Sequence, residues 1–199
     1  MDNKLSILQH LAKNYPVSPT MHCLAKVLRI PYASFYRTLK ASSGLVLLEP
    51  VGKAKIVRLN FANDVLASHL AIASSEEREV FLKRNPIILK LAQDLSPQDI
   101  VLLFGSYAKG GAQERSDVDL LIINKSGEKS VSFGKYELLY KKSVNPIFVT
   151  KKEYEQMLRE PTENVGKQAL KYHVVLQHPQ AYWELTLHAI RARNLQATV

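Results

Sequence analysis

Two aspartates stand where an apolar strand should begin. Ser116-Asp117-Val118-Asp119 leads directly into Leu120-Leu121-Ile122-Ile123, and upstream a second apolar run, Ile100 to Phe104, stops at Gly105-Ser106. Residues two apart on a strand share a face, so Asp117 and Asp119 are expected to project together while Val118, Leu120 and Ile122 face the opposite layer. Paired carboxylates repel, and a hard cation such as Mg²⁺ relieves that repulsion while bridging to substrate phosphates. Gly105 would let a phosphate approach the backbone closely, and Ser106 would present a hydroxyl and an N–H at a helix start. Each part alone has a plain reading, since most Gly-Ser turns are only turns and an isolated Asp-x-Asp is commonly a solvated strand end.

These residues need a scaffold, and the pattern around them predicts an α+β fold with a mixed sheet flanked by helices. Residues 63–95 read as helical pieces: one over 63–73, a second opened by Ser74 and Glu77 at capping-box spacing, and a third starting on Asn85-Pro86. After the aspartates, residues 133–158 supply a helix, the strand Val144 to Thr150 and another helix. Residues 161–193 then give a helix, a short strand at 172–177 and a helix carrying Trp183, Leu187 and Ile190. The aromatic positions there are expected in the core.

The leading segment has a different character. Residues 1–61 hold nine Lys and Arg against only Asp2 and Glu49, a net +7 of the chain's +9. Such clustering suits a polyanion, because Lys and Arg gain affinity by releasing phosphate counterions; a merely solvated basic face is the alternative. Leu5, Leu8, Leu11 and Ala12 mark a first helix, and Met21, Leu24, Ala25 and Leu28 a second, with Ser18 as its cap and Pro19 at its first position. A third starts at Pro31, buries Phe35 and Leu39, and is closed by Gly44. Residues 45–50 and 53–61 then form a hairpin in which Val57, Leu59 and Phe61 alternate against Ile56, Arg58 and Asn60.

Three short helices and a basic hairpin resemble a winged helix-turn-helix over residues 1–62. That resemblance implies double-stranded DNA as partner, with Tyr32, Ser34, Tyr36, Arg37 and Lys40 reaching the bases and Lys53, Lys55 and Arg58 on the wing. A winged helix used for dimerisation or protein docking is the competing reading, and a homodimer is compatible with either.

Residues 63–199 form the second half: a helical linker over 63–95, a core over 96–160 and C-terminal helices over 161–199. Taken together, Gly105, Ser106, Asp117 and Asp119 resemble the motif of the DNA polymerase β-like nucleotidyltransferase superfamily. Ala108, Gly110 and Arg115-Ser116-Asp117 look like its minimal, antitoxin-type branch. The resemblance implies Mg²⁺ held by Asp117 and Asp119 as catalytic residues, and ATP or another nucleoside triphosphate seated by Gly105 and Ser106. Lys109 and Arg115 are candidates for the triphosphate, though either could be an ordinary exposed charge. It also implies an acceptor hydroxyl, in some members a tyrosine of a HEPN-type toxin protein. A third carboxylate is expected on a later strand, yet residues 144–150 contain no Asp or Glu, only Asn145; Glu137 and Glu153 lie on flanking elements. Two functions therefore stand: an NMP-transferring enzyme, or a DNA-binding regulator whose nucleotidyltransferase-like domain only senses nucleotide or dimerises.

Other classes find little support. The single Cys23 permits no internal disulfide and is expected as a small buried residue. The six histidines show no zinc spacing. No apolar run reaches the roughly 20 residues of a membrane span, and the N-terminus reads as an amphipathic helix, so a soluble cytoplasmic protein is expected.

Overall fold

The computed structural model describes residues 2–196. The chain opens with α1 (Asn3–Lys13), α2 (Met21–Val27) and α3 (Tyr32–Ala41), followed by the antiparallel hairpin β1 (Val46–Val51) and β2 (Ala54–Leu59). Thr20 adds a bridge to Ile56, so the segment entering α2 runs alongside the hairpin. Each helix buries one stripe: Leu8 and Leu11 of α1, Met21, Leu24 and Ala25 of α2, Phe35 and Leu39 of α3.

Local chemistry moves several expected boundaries here. The cap of α2 is Thr20, whose side chain accepts from the Cys23 N–H, and not Ser18; Pro19 lies outside the helix and its carbonyl accepts from Val57. Helix α3 ends at Ala41, before Gly44, because Ser42 turns back to the Leu39 carbonyl. Cys23 is exposed, since it falls off the Met21, Leu24 and Ala25 stripe that faces inward.

The largest departure is α4 (Leu66–Arg84), one continuous helix of 19 residues where two pieces are expected. Ser74 caps nothing. It is fully buried in mid-helix, and its Oγ accepts from the Trp183 indole N–H at 2.8 Å. Glu77 instead takes Lys13 at 2.7 Å and Gln9 at 2.8 Å, both from α1. After α5 (Pro86–Gln93), which has Pro86 in its first turn, come β3 (Ile100–Phe104), the one-turn α6 (Gly105–Ala108) and β4 (Val118–Asn124). Then follow α7 (Gly134–Tyr140), β5 (Val144–Thr150), α8 (Lys151–Arg159), α9 (Val165–Lys171), β6 (Val174–Gln177) and α10 (Pro179–Gln196).

The four strands form a mixed sheet in the order β5-β4-β3-β6, antiparallel except where β4 and β5 run parallel. Alternation along β3 and β4 divides the interior. Val101, Leu103, Val118, Leu120 and Ile122 face α5 and α7 with Ile88, Leu91 and Tyr136. Leu102, Leu121 and Ile123 face the other way, into a cluster with α8, α9 and α10 that continues through Leu66 and Leu70 of α4 to Leu8, Leu24 and Phe35. One apolar interior thus joins the leading helices to one face of the sheet. Between them Lys13 is partly buried, and its ammonium also donates to the His173 carbonyl at 2.7 Å. Among the described residues no helix is long and apolar enough to cross a membrane.

Candidate functional site

The sheet end formed by the C-terminus of β3 and the start of β4 collects the motif residues. Phe104 pairs with Asp119 across the antiparallel ladder, and Asp119 pairs with Asn145 across the parallel one. Asp117 lies one residue ahead of β4 rather than inside it, in extended chain anchored by the Val118 N–H on the Ser143 carbonyl at 2.9 Å. It is exposed and Asp119 is half-buried. Their intervening neighbour Val118 is fully buried on the opposite face, which is the alternation the sequence implies.

Asn145 joins the pair. Its Nδ2 is 3.4 Å from Asp117 Oδ2 and 3.4 Å from Asp119 Oδ1, long contacts that nevertheless place one amide between two carboxylates. Parallel pairing of β5 beside β4 puts Asn145 there, at the strand position adjoining the pair where a third acid is expected. Glu153 is engaged elsewhere: it completes a capping box with Thr150 at the start of α8, and hydrogen bonds from Thr150 hold its carboxyl below the usual range. Among the described residues, no group of three or more His, Cys, Asp or Glu side chains could hold a metal ion. Two carboxylates remain, and a pair suffices in principle for Mg²⁺, which keeps several waters and is commonly bound by one or two carboxylates plus substrate phosphates.

Glycine is required at position 105 by the protein's own backbone and neighbours. Its φ is +68°, and a Cβ on it would come within 2.0 Å of Asp119 Oδ2. The glycine lets β3 turn into α6 directly against the Asp119 carboxylate. Ser106 follows, half-buried at the start of a four-residue helix. The loop returning to Asp117 closes on itself, with the Gln113 N–H donating to Ser116 Oγ at 2.8 Å and the Ser116 N–H to the Gln113 carbonyl at 3.0 Å. The Lys142 ammonium braces this loop, donating to the Glu114 carbonyl while lying 5.9 Å from the Tyr107 ring centroid.

Of the two candidate phosphate cations, Lys109 caps the end of α6 with its ammonium 5.2 Å from the centroid of Tyr172. Arg115 is exposed in the loop before Asp117. The residues proposed for DNA fall far from this sheet end in sequence and lie on α3 and the hairpin. Tyr32, Tyr36, Arg37 and Lys40 are exposed on α3, with Lys40 over the Tyr36 ring at 5.3 Å. Ser34 is turned toward α1, half-buried and accepting from Asn3 at 3.4 Å. Lys53 and Lys55 are exposed at the hairpin tip, and Arg58 pairs with Glu49 at 3.5 Å.

Tyr172 and Lys171 also lie toward this end of the sheet. Both precede β6, whose antiparallel pairing brings Val174 opposite Leu103 and so carries the preceding residues toward the Gly105 turn. Only strand register reveals that proximity.

One stretch of the chain, which includes this sheet end, matches a known family. Residues 86–176, from the start of α5 into β6, match the family model of the nucleotidyltransferase domain. No curated protein and no solved structure matches the chain.

Proposed function

From a segment that carries a nucleotidyltransferase domain, we propose that the protein transfers NMP, most simply AMP from ATP, to an acceptor hydroxyl, with Mg²⁺ held by Asp117 and Asp119 while residues 1–62 hold double-stranded DNA. The observation supporting this most is the convergence of Asp117, Asp119 and Gly105 at one sheet end. When bound, the metal supplies charge neutralisation at the phosphates and orients them for in-line displacement. Gly105 and Ser106 seat the distal phosphates at the start of α6. The acceptor oxygen forms a bond to the α-phosphorus, the bond to the β-phosphate oxygen breaks, and pyrophosphate leaves with that electron pair. The acceptor hydroxyl must lose its proton, and Asn145, an amide, cannot take it. A missing general base typically costs about 10²- to 10⁴-fold in rate.

That amide favours a second reading, in which the domain retains nucleotide with little turnover and the protein acts as a DNA-binding regulator. A tyrosine on a HEPN-type toxin is the acceptor proposed for the first. Labelled ATP with Mg²⁺, offered to the protein and to whatever copurifies with it, separates them. Label transfer that Asp117→Asn abolishes supports the enzyme. Salt-sensitive DNA binding without label transfer, and a gain of transfer in Asn145→Asp, supports the regulator. Failure of both nucleotide and DNA to bind sinks the proposal.

A further inference from the structure

Two ammonium groups converge on one half-exposed ring beside the Gly105 turn. Lys109, at the end of α6, lies 5.2 Å from the Tyr172 centroid, and Lys171, the last residue of α9, lies 5.3 Å from it. Tyr172 is 41% exposed, so the ring is not core packing, and it sits between α9 and β6 rather than within either. Register fixes its place: β6 runs antiparallel to β3 with Val174 opposite Leu103, and β3 pairs Phe104 with Asp119. The carboxylate pair and the Lys-Tyr-Lys cluster therefore flank the same turn, one on the β4 side and the other on the β6 side.

Their charges are complementary in use. Asp117 and Asp119 can hold a cation but repel a polyphosphate, and the contacts around them come from the neutral Asn145 amide. A triphosphate brought there by metal needs further positive charge for its distal end. An aromatic face attracts ammonium groups and restrains their long stems, so Tyr172 holds both lysines against its ring before any ligand arrives.

We propose that Lys109, Tyr172 and Lys171 form the binding site for the distal phosphates of a nucleoside triphosphate, or for released pyrophosphate, with Tyr172 as the platform that orders the two lysines. This rests on the nucleotidyltransferase reading and adds Lys171 and Tyr172 to it.

Calorimetric titration of the full chain with ATP, inorganic tripolyphosphate and AMP, each with Mg²⁺, tests the idea. Lys171→Met and Lys109→Met are each expected to weaken ATP and tripolyphosphate about tenfold, the loss of one charged hydrogen bond, while AMP changes less than about twofold. Tyr172→Leu is expected to weaken both polyphosphates about threefold, with Tyr172→Phe closer to the parent because it keeps the ring face. Lys171→Arg retains the charge and restores most of the affinity. ATP binding within about twofold of the parent in both methionine variants overturns this site while leaving the nucleotidyltransferase reading intact. Equal losses for AMP and ATP overturn it as well, since the lysines would then not read the distal phosphates. No binding of any nucleotide to the parent overturns both.

Discussion

Replacing Gly105 with alanine requires Asp119 to move, because the added methyl would overlap the carboxylate and the backbone is left-handed there. Gly110 is a natural control: its φ is +74°, but a methyl placed on it would meet nothing within 4 Å. Gly110→Ala is expected to cost about 1–2 kcal/mol, the left-handed penalty alone, and Gly105→Ala more, with loss of nucleotide binding as well. Denaturant midpoints of the two variants check the order. His173 allows a pH prediction. It is fully buried, its Nδ1 donates to the Ala169 carbonyl at 2.7 Å, and Nε2 has no partner. Burial, followed by the nearby Lys13 charge, drives its pKa well below the ordinary 6.5. The unfolded chain therefore takes up this proton first as pH falls below about 6.5, and stability falls with it, by at most about 1.4 kcal/mol per pH unit. Stability measured from about pH 7 to 5 in the parent and in His173→Leu should show the parent declining more steeply.

Helix α4 shows what element boundaries conceal. Ser74 and Glu77 have capping-box spacing, yet each is used by a distant helix, Ser74 by Trp183 of α10 and Glu77 by Lys13 of α1. Local spacing cannot distinguish a serine that starts a helix from one that receives an indole in its middle, since the deciding partner is 109 residues away. The aspartate motif was legible because alternation is local: Val118 inward and Asp119 outward follow from strand geometry alone. Asn145 beside the pair, and Lys171 and Tyr172 near it, depend on strand order, which the sequence does not carry in any short window. Ser74→Ala strands a buried indole N–H and is expected to cost about 1–3 kcal/mol, read as a lower denaturant midpoint with unchanged slope.

At the scale of the molecule, the change in charge near residue 62 has no counterpart in the packing. Apolar residues of α1 to α3, α4 and one face of the sheet form one cluster, and the partly buried Lys13 ties α1 to both α4 and the chain entering β6. The chain is therefore expected to unfold in one transition. Trp183 is its single tryptophan and packs at the junction of α4 and α10, so its fluorescence should give the same midpoint as the helical circular dichroism. Separated midpoints would refute a shared core. The net +7 over residues 1–61 adds a further expectation: DNA affinity that falls steeply with salt and is reduced by removing Lys53 and Lys55 together.

Asn145 is exposed, so exchanging it for aspartate disturbs no interior contact and changes only the terminal group of an otherwise identical skeleton. Folding tolerance and chemical competence are thereby uncoupled at this position. The exchange would crowd three anions onto one rim, and the variant's melting temperature should fall in chelator and recover with magnesium, a dependence on the ion that the parent would show more weakly.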